Sequence, residues 1–375
     1  MMGPLTVYHT EASMGWGGQE IRILGEMTAL RDRGYALGLI AQHGAEIVAR
    51  AAAAGFTVHQ VRMRGAVDFL AVAQVAGILR GAQVRLVNTH SSVDAWVAGW
   101  AARLVRIPIL RTRHLAIPLK PQPLAPRVYT WMADRVVTTG EDGRRLLLEQ
   151  AGLAPDRVTV VSTGVDVSRF DPGRVDGVAA RRALGLPPEA PAIGVVAVLR
   201  LHKGHIPLLR AMATPALADR KVHLLVAGSG PMGEYLQDLA RSLGIASRVH
   251  FLGHREDVPE ILAASNVVIL PSTQSEGVPQ TILQAFALER PVVASDVAGI
   301  RQVVRDGETG LLVPPENPDA LAEAIVRLLE APALGRALGT AGRALVCAEY
   351  SVERMADAME AVYRELLGEA CASSV

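Results

Sequence analysis

The chain repeats one pattern from end to end: a short apolar run, a loop, then a segment with apolar residues at helical spacing. Runs at 5–9, 36–41, 57–61, 85–89, 107–112, 136–139 and 157–161 read as strands, and amphipathic helices fall at about 45–54, 68–80 and 93–105. Repeated strand–helix units on this scale imply a parallel sheet with helices on both faces. At 375 residues the chain is too long for one ordinary core. The alternation starts afresh at 192–199 and continues through strands at 222–227, 249–252, 267–270, 291–295 and 311–313, with helices at 234–243 and 318–330. A stretch rich in Pro, Gly, Arg and Ala at 171–191, around a short helix, suits a connection. The expected plan is therefore α/β in two domains, 1–170 and 171–354.

Composition narrows the class of function. Half the residues are hydrophobic and a fifth charged, which excludes a disordered chain. A net charge of +1 gives no electrostatic reason to expect nucleic acid as a partner. Cys347 and Cys371 fit no metal or disulfide spacing, which agrees with a reducing compartment. The chain runs into LTVYHTEASMGWGG without a charged-then-apolar leader, and no stretch approaches ~18 uninterrupted apolar residues. The expected location is cytoplasmic, or at the cytoplasmic face of the inner membrane.

Several loops carry residues suited to chemistry. In 266–289 a buried strand stops at Pro271, a polar loop holds Glu276 and Gly277, and Pro279 opens an apolar-periodic helix. The free amides and dipole of such a start favour an anion such as a phosphate, although an ordinary strand–helix crossover has the same pattern. Only three of the 38 cationic residues are lysine, at 120, 203 and 221. Lys203 sits with Arg200 on a loop leaving a strand, where a guanidinium fork and an ammonium suit a diphosphate as well as they suit solvent. Gly15, Gly17 and Gly18 form a glycine loop between strand and helix that lets backbone approach a phosphate, or simply turns tightly. His9, His90 and His114 each stand at or just beyond the carboxyl end of a strand, which favours a cleft on that rim. Gly228, Gly230 and Gly233 match G-x-G-x-x-G, yet Pro231 removes an amide and the next strand ends in Gly253-His254 rather than an acid, which argues against a dinucleotide. The four prolines of 115–132, with Lys120 and Arg127, forbid a regular helix and read as a mobile loop capable of weak membrane-surface contact. The apolar stripe of 351–367 either caps its own domain or crosses back to the first.

These residues resemble glycosyltransferase family 4, the retaining, sugar-nucleotide-dependent enzymes of the GT-B fold. The resemblance rests on GWGGQE (15–20), VSTGVD (161–166), LRLHKGH (199–205), VAGSGP (226–231), VHFLG (249–253), PSTQSEGVPQTILQAF (271–286), PVVASDVAGI (291–300) and DGETGLLVPPENPDALAEAI (306–325), in that order and spacing. It implies two Rossmann-like domains facing across a cleft, with donor nucleotide on the second and acceptor on the first. It puts Arg200 and Lys203 on the diphosphate, Gly17 and Gly18 near the phosphates, and Glu276 and His114 beside the donor sugar. Further donor contacts fall to Gly228, Gly230, Gly253, Arg255, Gly277, Val278, Thr281 and Gln284. The helix at 355–370 would cross back onto the first domain.

Three positions depart from the family pattern. Gln284 replaces the second of two glutamates, Arg200 stands three residues before Lys203 where five is commoner, and Gln302 stands where Glu is usual. The activity implied is transfer of a sugar from a nucleotide diphosphate to an acceptor hydroxyl on a glycan or glycolipid, in making a cell-surface glycan such as lipopolysaccharide. No cofactor and no metal are expected, and the oligomeric state is open. A sugar-nucleotide epimerase of the same fold, and a catalytically weakened nucleotide-sugar-binding subunit, remain as alternatives.

Overall fold

The computed structural model describes residues 5–119 and 124–368. Lys120 and Cys371 lie outside the described residues, as does the end of the expected 355–370 helix. The chain divides into two compact units, one of residues 1–164 with 352–375 and the other of residues 165–351.

The first unit contains β1 (Thr6–Glu11), β2 (Ala36–Gln42), β3 (Thr57–Val61), β4 (Leu86–Thr89), β5 (Ile109–Arg113), β6 (Arg135–Thr138) and β7 (Val158–Val160). They form a 7-stranded sheet in the order β3-β2-β1-β4-β5-β6-β7, every pair parallel. Successive residues of a strand face opposite ways, and the core follows that period. Val7, Leu86, Leu110 and Val137 pack with Met355, Met359, Val362 and Tyr363 of the helix Val352–Leu366. Their neighbours Tyr8, Val87 and Ile109 pack with the helices Phe69–Gly81 and Ser92–Val105 on the other face. The apolar stripe near the carboxyl end therefore belongs to the first unit.

The second unit contains β8 (Ala192–Val196), β9 (His223–Ala227), β10 (Val249–Gly253), β11 (Val267–Leu270), β12 (Val292–Ser295) and β13 (Leu311–Val313). Its 6-stranded sheet runs β10-β9-β8-β11-β12-β13, again parallel throughout. Ile193, Val195, Val267, Ile269 and Val293 face the helices His205–Met212 and Pro318–Glu330. Val268, Leu270, Val292 and Ala294 face the helix Gln280–Ala287.

Three details differ from the sequence expectation. The division falls after Gly164 rather than after residue 170 because Val165 and Phe170 are buried with Val268 and Phe286 of the second unit, and Val165 donates its amide to Tyr350 at 2.8 Å. β8 ends at Val196, not 199, because the backbone beyond it is taken up by the loop after β9: Leu199 donates to the Ser229 carbonyl and accepts from Met232, both at 3.0 Å. The proline-rich stretch 115–132 contains a short helix, Arg127–Thr130, which starts once Pro126 has served as its N-terminal cap. That helix is anchored, since Val128 and Tyr129 are buried and Arg113 donates to the Tyr129 hydroxyl at 2.8 Å. Among the described residues no helix is long and apolar enough to cross a membrane.

Candidate active site

Strand order reverses between β8 and β11, with β9 and β10 to one side and β12 and β13 to the other. A doubly wound sheet opens a crevice at the carboxyl ends of such strands. The loops leaving β8 and β11 carry Lys203 and Glu276, so topology brings them together.

Backbone contacts then lock the two loops. Gly204, after the turn Leu201–Lys203, has φ +72, and a Cβ there would lie 1.7 Å from the Pro271 carbonyl oxygen. The amide of Thr273 donates to the His202 carbonyl at 2.8 Å. Behind Glu276, Gly299 has φ +84 and would put a Cβ 2.2 Å from the Glu276 carbonyl oxygen, while the Glu276 amide donates to Ala298 at 3.0 Å. Between these clamps Lys203 Nζ lies 2.6 and 2.8 Å from the two carboxylate oxygens of Glu276, and Ser272 Oγ donates to Oε1 at 2.6 Å. The ammonium has three N–H donors and each carboxylate oxygen about two lone pairs. One N–H of Lys203 and one acceptor position on Oε2 are thus left for a ligand.

The other expected donor contacts divide into open and occupied groups. Arg200 is exposed and its guanidinium makes no hydrogen bond among the described residues. Gln284 is half-buried, its side-chain amide likewise without a partner among them. The amides of Gly277 and Val278 are open just before the helix Gln280–Ala287, whose cap is Pro279. Thr281, in contrast, spends its hydroxyl on the Val196 carbonyl at 2.8 Å, so only its amide is placed for an anion. Arg255 is engaged by Asp257, with Nε 2.7 Å from Oδ1. Gly228 and Gly230 support backbone: each lies against residues 197–199, and a Cβ would come within 2.0 Å of the Ala197 oxygen or 2.6 Å of the Leu199 oxygen. Gly253 accepts from the Gly228 amide at 2.7 Å.

In the first unit the order reverses between β1 and β4, and His9, His90 and His114 meet at that point. His9 Nδ1 is 2.9 Å from His90 Nε2, and His90 Nδ1 is 2.9 Å from His114 Nε2. Burial drives His9 down to about 3 and puts His90 and His114 well below the usual imidazole range, so all three are neutral. Glu11, at the end of β1, is fully buried and pushed up to about 7, first by burial and then by the Asp94 carboxylate. It accepts from the Ser13 amide at 2.7 Å and from Gln19. Gly17 is the cap of the helix Gly18–Asp32, and its amide donates to Glu20 Oε2 at 2.9 Å. The Gly17 amide, expected to face a phosphate, is therefore already held by a carboxylate.

Sequence reasoning missed Ser272, which orients Glu276, and Glu11. For Glu11 a signal existed: an acid closing an apolar strand immediately before a glycine loop. Ser272 carried none, since a hydroxyl beside a proline at a strand end is common turn chemistry.

Residues 190–331 match the family described as Glycosyl transferases group 1, and residues 16–169 match Glycosyltransferase Family 4. The chain is 35% identical over 314 residues to a protein of Geodermatophilus obscurus named D-inositol 3-phosphate glycosyltransferase, covering 77% of this chain and 68% of that one. A protein of the same name from Rhodococcus jostii is 33% identical over 321 residues, covering 77% and 70%. In fold the chain is similar to a glycosyltransferase from Rickettsia africae, with TM-score 0.89, 21% identity, and 98% and 100% of the two chains covered. It is also similar to Anabaena Alr3699/HepE in complex with UDP, with TM-score 0.83, 21% identity, and 96% and 100% covered.

Proposed function

Since the chain belongs to glycosyltransferase family 4, a sugar-nucleotide-dependent family with the GT-B fold, we propose that it transfers the sugar of a UDP-sugar, with retention, to a hydroxyl of a small phosphorylated polyol. The observation that carries the site is the Lys203–Glu276–Ser272 cluster at the strand reversal of the second domain. Glu276 binds sugar hydroxyls through the open position on Oε2. The remaining N–H of Lys203, the Arg200 guanidinium and the amides of Gly277, Val278 and Thr281 meet the charge that develops on the departing diphosphate. The departing phosphate takes the proton of the attacking hydroxyl, and neither cofactor nor metal enters this scheme.

UDP is the first base to test because the Anabaena protein of the same fold has been solved with UDP and with UDP-glucose. An inositol phosphate is the first acceptor because it stands in the names of the relatives, ahead of a cell-surface glycan or glycolipid. The work would take place in the cytoplasm or at the inner face of its membrane. The test is nucleotide release from UDP-, GDP- and ADP-sugars with and without D-inositol 3-phosphate. Release of UDP that depends on that acceptor is the expected result. A change in the sugar of the nucleotide sugar with no net UDP release would point to the epimerase reading, and binding with neither outcome to the weakened subunit.

A further inference from the structure

The three histidines of the first domain form part of a longer chain whose inner end is a carboxyl group. Both histidine contacts run the same way, Nδ1 of the inner ring to Nε2 of the outer ring. His9 Nε2 is therefore the inner end and His114 Nδ1 the outer one. At the inner end the Tyr363 hydroxyl lies 3.3 Å from His9 Nε2 and 2.8 Å from Glu26 Oε1. Asn88 Nδ2 adds donors to Glu26 Oε1 at 3.3 Å and to the Tyr363 oxygen at 3.4 Å, while Thr112 donates to Asn88 Oδ1 at 2.9 Å and fixes that amide. Glu26, Tyr363, Asn88 and His9 are all fully buried, so water does not scramble the order of donors. At the outer end His114 keeps 9% of its surface exposed, and its Nδ1 makes no hydrogen bond among the described residues.

A hydroxyl has one proton and a neutral imidazole one N–H, so the direction of the first bond sets every other. Glu26 Oε1 already accepts from Asn88, and a carboxyl proton would sit on Oε2, which accepts no hydrogen bond among the described residues and faces Arg22 Nε at 3.9 Å. Tyr363 consequently donates to Oε1 whether or not Glu26 is ionised. Its oxygen then accepts from His9, which must be protonated at Nε2 and accept at Nδ1. His90 follows in the same state, and so does His114.

We propose that Glu26, acting through Tyr363, His9 and His90, holds His114 in the Nε2–H tautomer, so that His114 Nδ1, at the partly exposed end of the relay, meets a ligand only as a hydrogen-bond acceptor. Glu26 and Tyr363 are positioning residues for a ring they do not touch. The relay stands on the first domain alone.

The test is two-bond 1H–15N correlation of histidine rings in the full chain, without substrate. The wild type should show one tautomer, proton on Nε2, at all three rings. Tyr363→Phe keeps the ring and removes the hydroxyl oxygen that accepts from His9 Nε2, so Nδ1–H signals should appear at His114. Nδ1–H at His114 in the wild type, or an unchanged tautomer in Tyr363→Phe, overturns the relay. Should Tyr363→Phe not fold, the wild-type spectrum alone decides.

Discussion

At the scale of residues the second-domain site is a shared set of hydrogen bonds, so its members should not act additively. Lys203 and Glu276 are each other's principal partner. Lys203→Ala removes the N–H proposed to meet the diphosphate and leaves the Glu276 carboxylate with Ser272 alone, and should lower kcat/KM by about 10²- to 10³-fold. Adding Glu276→Gln should cost much less than the product of the two single losses, because residues of one network couple. Steady-state transfer by the two single variants and the double variant measures this, and multiplicative losses would refute the shared site. Lys203 and Glu276 could be singled out in the sequence because both stand on loops leaving strands of a parallel sheet, the edge where ligand crevices open. Their mutual pairing could not, since it depends on which strands neighbour each other. Glu11 makes a separate prediction. Its carboxyl is raised from 4.5 to about 7 in the fold, so between those values the unfolded chain ionises first and stability falls as pH rises. Glu11→Gln lacks that loss. Denaturant melts at pH 4 and pH 8 should show the variant gaining on the wild type by about 3 kcal/mol across the interval, and an unchanged gap would show that Glu11 ionises normally.

At the scale of elements the strands were read well because a parallel strand buried on both faces is a continuous apolar run. What periodicity could not show is how the loops brace one another. β8 is shorter than its apolar run because the segment after Val196 is bound by the loop after β9. Likewise the helix Arg127–Thr130 begins directly after Pro126. Bracing makes Gly299 a sensitive position although it touches no expected ligand. A methyl there meets the Glu276 carbonyl at 2.2 Å from a backbone with φ +84. Gly299→Ala should destabilise the second domain by about 1–3 kcal/mol and weaken donor binding by displacing Glu276. Donor titration by calorimetry checks it, and wild-type affinity would mean that the loop absorbs the shift. The helix Gln280–Ala287 carries the opposite kind of change. Gln284 is half-buried and unpaired among the described residues, and helical side chains lean toward the helix start. Gln284→Glu offers a charge-assisted acceptor where the amide offers a neutral one, so donor binding should tighten by about 1 kcal/mol. Clearly weaker binding would mean that the position is shaped around an amide.

At the scale of the whole molecule the chain closes its first domain with its last described helix. Val352–Leu366 supplies Met355, Met359, Val362 and Tyr363 to the core beneath β1, β4, β5 and β6. The apolar stripe of this helix was visible in sequence, but a stripe says only that a face is buried, and two sheets were available to bury it. The domain it joins also receives Tyr363, the link between Glu26 and the histidines, so residues far apart in the chain complete one polar network. A charge placed in this face should therefore damage one domain selectively. Met359 is fully buried, and Met359→Asp should cost about 3 kcal/mol or more through lost packing and an unpaired carboxyl. The four tryptophans, Trp16, Trp96, Trp100 and Trp131, all lie in the first domain, so their fluorescence reports that domain alone. Binding of UDP, the proposed donor nucleotide, would report the second. In Met359→Asp the fluorescence transition should move to lower denaturant while UDP affinity in buffer stays at the wild-type value. An unmoved transition would show that the helix is dispensable to the first core, whereas a matching loss of UDP binding would show that the two domains fold as one unit.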